Sequence, residues 1–68
     1  MNQINKKSIL YIEDDPDNRS LLKIILKKNN YNFFEAEDGL KGINIAKKNN
    51  IDLILLDINM QGMNGYEI

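Results

Sequence analysis

Two short apolar runs, each ending in carboxylates, constrain this chain more than any other feature. Ser8-Ile9-Leu10-Tyr11-Ile12 runs into Glu13-Asp14-Asp15, and Leu53-Ile54-Leu55-Leu56 runs into Asp57. Both runs are too short for buried helices. Their unbroken apolar character predicts fully buried strands of a parallel sheet. Parallel strands place their C-terminal ends on one edge, where open α/β sheets bind ligands. Carboxylates delivered there can converge.

The residues between the runs read as two crossover helices around a middle strand. Asp15-Pro16-Asp17 is a helix start, with Asp15 as cap, Pro16 in the first helical position and Asp17 at the positive end of the dipole. Leu21, Leu22, Ile25 and Leu26, with Ile24 alongside, form its apolar stripe, and Lys27-Lys28-Asn29-Asn30 closes it. Tyr31-Asn32-Phe33-Phe34-Glu35-Ala36 is rich in β-formers and predicts a strand at a sheet edge. Asp38-Gly39 starts the second helix, with Leu40, Ile43 and Ala46 as its expected buried face. Gly42 either weakens that helix by about 1 kcal/mol relative to Ala or lets it sit close to the sheet. A third strand spans 52–57, a loop spans 58–65, and Tyr66-Glu67-Ile68 opens a further helix.

The order is β-α-β-α-β, with right-handed crossovers. The first and third strands are apolar on both faces and the second is mixed, which predicts a parallel sheet of order 2-1-3. That order reverses direction between strands one and three, places the helices on opposite faces, and opens a crevice lined by Glu13, Asp14 and Asp57.

Composition removes several classes of function. With no histidine, His-based catalysis and most zinc chemistry are excluded. No cysteine is present, so no disulfide or thiolate metal site stabilises the chain. Nine basic against ten acidic residues, a formal charge of −1, give no electrostatic footprint for nucleic acid. The apolar stretch before Glu13 is too short for a secretory or membrane-spanning segment, so a cytoplasmic location is expected. The lysine pairs at 6–7, 27–28 and 47–48 read as solvated ends, and Met60 and Met63 as gap-fillers.

Clustered carboxylates raise one another's pKa unless a cation compensates. Mg²⁺ suits such a cluster, because it takes hard oxygen ligands and is held by one or two carboxylates with waters and a phosphate. An Asp beside it can attack a phosphoryl group and form an acyl phosphate. Read from the residues alone, Asp14 and Asp15 serve equally well as helix caps, and Asp57 as a strand end.

Three blocks go further. Residues 9–19, from Ile9 through Glu13-Asp14-Asp15-Pro16 to Arg19, then Ala36-Glu37-Asp38-Gly39, then Asp52 through Asp57-Ile58-Asn59-Met60 to Gly65, closely resemble the receiver domain of two-component response regulators. The resemblance implies a truncated flavodoxin-like α/β fold. Residues 1–68 would form one partial receiver domain, ending at the start of its third helix. It implies that Asp57 accepts a phosphoryl group from a histidine kinase, a phosphotransfer protein or a small donor. It also implies that Asp14, Asp57 and the backbone carbonyl of Asn59 hold Mg²⁺, with Glu13 acting through water and Asp15 left as a cap. Such a domain is not an enzyme beyond weak self-phosphorylation and self-dephosphorylation.

Two departures stand out. Gln61 replaces the proline the family carries four residues after the acceptor, although Gly62 and Gly65 keep the turn chemistry. The chain as given also lacks the family's later hydroxyl and lysine, which implies weak Mg²⁺ binding, slow phosphorylation and no switching of the family's kind. An exposed third strand then predicts self-association. The alternative function is a self-associating interaction module without a phosphorylation switch.

Overall fold

The computed structural model describes residues 6–57. The five elements are β1 (Ser8–Ile12), α1 (Pro16–Lys28), β2 (Asn32–Ala36), α2 (Gly39–Lys48) and β3 (Leu53–Leu56). The predicted loop at 58–65 and the helix start at 66–68 lie outside the described residues.

Local chemistry explains the helix ends. Pro16 occupies the first turn of α1, and the Asp15 carboxylate accepts from the Asp17 amide at 2.9 Å. Asp38 caps α2 in the same way, accepting from the Lys41 amide at 2.8 Å. At the other end of α1, Asn30 takes a left-handed φ of 67°. The Tyr31 amide then donates to the Leu26 carbonyl (3.0 Å) and the Asn30 amide to the Lys27 carbonyl (3.2 Å). This is a Schellman closure with asparagine where glycine is usual.

The strands form one parallel sheet in the order β2-β1-β3, as the sequence predicts. Ile9 sits beside Phe33 and Leu53, and Leu10 beside Phe34 and Ile54. Alternation puts Leu10, Ile12, Phe34, Ala36, Ile54 and Leu56 on one face. Against it α2 packs Ile45 and Ala46, closing a core around Leu10, Ile12 and Ala36. The other face carries Glu35, which pairs with Arg19 of α1. The helices therefore cover opposite faces.

Three expectations need correction. The inward face of α2 is Gly42, Ile45 and Ala46, whereas Leu40 (71 % exposed) and Ile43 (54 %) face outward. The cause is the approach at Gly42, where a Cβ would stand 2.5 Å from Ile12 Cδ1. The helix turns its smallest residue to the sheet, which rotates the contact away from Leu40 and Ile43. In α1, only Leu22 and Leu26 of the apolar stripe are half-buried, and Leu21, Ile24 and Ile25 are exposed. Finally, β3 is not fully buried as its apolar run suggests, but is exposed as the family resemblance implies. Among the described residues its only strand neighbour is β1, so Leu53 and Ile54 stay about half exposed.

Candidate functional site

β1 and β3 run parallel, so the acids that follow them meet on one edge. The Asp57 amide donates to the Ile12 carbonyl at 3.2 Å, which extends the β1–β3 ladder to the threshold of Glu13. Asp57 is half-buried there.

Glu13 is the most constrained residue of the group. It is only 2 % exposed. The Tyr11 phenol donates to Oε1 at 2.9 Å, and the Asp15 amide donates to Oε2 at 3.1 Å. Its own amide donates to the Ala36 carbonyl at 3.0 Å, and its carbonyl accepts from Arg19 Nη1 at 2.7 Å. Burial raises the Glu13 pKa above the ordinary carboxylate value. A hydrogen bond with the Asp57 carboxyl raises it further, and Asp14 adds to the effect. The Asp15 amide and Tyr11 hydroxyl oppose it. Tyr11 responds to the same surroundings: burial first, then Glu13, Asp57 and Asp15, push its phenol up to about 12.

The structure thus brings Glu13, Asp14 and Asp57 together and leaves Asp15 facing α1 as its cap. Asn59 lies outside the described residues. Tyr11 and Arg19 are contacts that the sequence reading did not single out. Tyr11 lies two residues before Glu13, on the same side of an extended chain, and that spacing is the signal for the first. For the second, the signal is an arginine in the opening turn of a crossover helix, within reach of the acid on β2. A separate open hollow of about 420 Å³, lined by Lys6, Lys27, Tyr31, Asn32, Phe33 and Phe34, lies at the opposite end of the strands, away from the acids.

The matching family model is that of the response regulator receiver domain, and it covers residues 9–68. The chain belongs to this receiver family. Transcriptional regulatory protein ResD of Bacillus subtilis is 41 % identical over 68 residues, all of this chain and 28 % of ResD. Sensor histidine kinase RcsC of Escherichia coli is 42 % identical over 60 residues, 88 % of this chain and 6 % of RcsC. Cell cycle response regulator CtrA of Brucella ovis is 37 % identical over 60 residues, 88 % of this chain and 26 % of CtrA. The chain therefore spans only a minor part of these relatives.

Both Glu13 oxygens are engaged by protein donors, so in this receiver domain the direct ligands for a cation would be the carboxylates of Asp14 and Asp57. Among the described residues no group of three or more acidic side chains is arranged to hold a metal. Two carboxylates with a complement of waters fit Mg²⁺, which keeps much of its hydration. They fit poorly with an ion that demands a full protein cage. Also among the described residues, no helix is long and apolar enough to cross a membrane.

Proposed function

We propose that this chain is the phosphoacceptor part of a receiver domain in two-component signalling, with Asp57 as the residue that takes the phosphoryl group. One observation carries the reading: the Asp57 amide bonds to the Ile12 carbonyl at 3.2 Å, which sets the Asp57 carboxyl beside Glu13 at the ligand-binding edge of the sheet. A carboxylate oxygen of Asp57 attacks phosphorus, and the bond from phosphorus to the donor breaks. The donor leaves as a neutral imidazole if it is a phosphohistidine, or as acetate if it is acetyl phosphate.

Asp14 and Asp57 would hold Mg²⁺, and the family resemblance implies a further part for Asn59 and, less directly, for Glu13. When bound, the ion offsets charge on the nucleophile and the phosphoryl oxygens. Glu13 is a buried carboxyl beside Asp57, held in place by the Tyr11 hydroxyl and the Asp15 amide. Tyr11 holds Glu13 as a neutral donor. The site turns over no substrate of its own beyond slow loss of the phosphoryl group.

A histidine kinase or phosphotransfer protein supplies the phosphoryl group. A matching segment within a sensor histidine kinase and others within transcriptional and cell-cycle regulators support a place in two-component signalling. Incubation with acetyl phosphate and Mg²⁺, followed by intact mass measurement, tests the reading. One phosphoryl adduct should form, chelation of Mg²⁺ should prevent it, and Asp57→Asn should abolish it. An adduct that survives Asp57→Asn would refute the assignment.

A further inference from the structure

We infer that Arg19 is the positioning residue of the acidic site, fixing the direction of Asp14 from the first turn of α1. The inference rests on the phosphoacceptor reading only for the identity of the cation, Mg²⁺. Arg19 Nη1 donates to the Glu13 carbonyl at 2.7 Å, while its Nε pairs with Glu35 Oε1 at 3.0 Å. The Arg19 side chain is 17 % exposed, against 40 % for Glu35. Its own amide donates to the Asp15 carbonyl at 3.1 Å, which roots it in the capped turn.

The carbonyl that Arg19 holds belongs to the peptide joining Glu13 to Asp14. A peptide unit is planar, so holding its oxygen sets the orientation of the Asp14 amide and restricts the backbone rotation that aims the Asp14 side chain. On the Glu13 side the same backbone is held by the Ala36 carbonyl. The loop between β1 and α1 is thereby tied to β2 twice, once through the Glu13 amide and once through Arg19 and Glu35.

Arginine suits this task better than lysine. Its planar fork presents Nη1 and Nε in fixed relation, so one side chain can serve a carbonyl and a carboxylate at once. Glu35 balances the charge, so Arg19 approaches the acidic loop as a directed donor more than as a counter-ion.

The test uses Arg19→Ala, Arg19→Lys and, as a stability control, Asp38→Ala, which removes the cap of α2. Mg²⁺ is titrated while the Asp14 amide is followed by NMR, and the Mg²⁺ dependence of labelling by acetyl phosphate is measured in parallel. Arg19→Ala should raise the Mg²⁺ concentration at half-saturation by about 10-fold, the usual scale for losing a partner that orients a metal ligand. At saturating Mg²⁺ its labelling rate should approach that of the unaltered chain. Arg19→Lys should recover part of the shift, and Asp38→Ala should lower Tm without moving half-saturation. An unmoved half-saturation in Arg19→Ala, or an equal shift in Asp38→Ala, overturns the inference.

If Arg19→Ala does not fold, Glu35→Ala decides the matter, since it releases one arm of the fork. A smaller shift in the same direction supports the inference, and none overturns it. Mg²⁺ binding without labelling of the unaltered chain would refute the phosphoacceptor reading, while the titration would still decide the role of Arg19. Absence of Mg²⁺ binding would refute both.

Discussion

Glu13 is a deeply buried carboxyl whose surroundings disfavour its charge. A carboxyl this deeply buried is easier to keep protonated than ionised, and its pKa is raised accordingly. The folded state therefore holds the Glu13 proton more tightly than the unfolded chain does. Stability from this group is fully present below its ordinary value of 4.5 and is lost as pH rises through the elevated folded value. In urea unfolding across that window, Glu13→Gln should flatten the decline. An unchanged slope would contradict the assignment. Tyr11→Phe should cost about 1 kcal/mol, because it leaves Glu13 Oε1 without its donor. The Tyr11 phenol should ionise near 12 in an absorbance titration, and stability from it should be lost as pH climbs from 10 towards that value. At this scale the acids themselves were legible, because charge at the end of an apolar run is visible in a string of letters. The tie between Arg19 and Glu35 was not singled out, since it joins residues 16 apart through a crossover geometry that the string does not show.

The helices show where an amphipathic pattern misleads. Counting apolar residues by size selects Leu40 and Ile43 as the buried face of α2, yet contact with the sheet is set by closest approach, and Gly42 permits the closest. Gly42→Ala should destabilise the fold despite the better helix propensity of alanine. The new methyl group would crowd Ile12 Cδ1 and Cγ1 at 2.5 and 2.9 Å. Overpacking of this kind costs roughly 1–3 kcal/mol, against a propensity gain of about 1 kcal/mol. Ile12→Val, which removes the Cδ1 methyl, should offset part of the loss, and a double-mutant cycle in urea would measure the coupling. Additive losses would argue against the contact. The helix starts at Asp15 and Asp38 were legible because a cap is a local affair of a few residues, and so was the asparagine stop of α1.

At the scale of the whole molecule, strand order was readable because an apolar strand must be covered on both faces, which placed the first strand in the middle. The apolar run of β3 by itself suggested full burial, and only the family resemblance, which implies the neighbour that would cover it, pointed to the exposure observed at Leu53 and Ile54. Among the described residues β3 presents an unpaired edge with Leu53 and Ile54 about half exposed, one on each face of the sheet. An apolar edge of this kind favours pairing with a second copy of the chain. Sedimentation should show concentration-dependent association of the chain, and Ile54→Lys should suppress it. A single monomeric species across the micromolar range would contradict that expectation.

The proposal that two strand ends converge on a phosphoacceptor carboxyl is best tested by locating the phosphoryl group itself. Reduction of the acyl phosphate with borohydride after treatment with acetyl phosphate and Mg²⁺, followed by peptide mass spectrometry, converts the modified aspartate into a marked residue. The mark should fall on Asp57. A mark on Asp14 or Asp15, or none on a chain shown to bind Mg²⁺, would contradict the role assigned to Asp57.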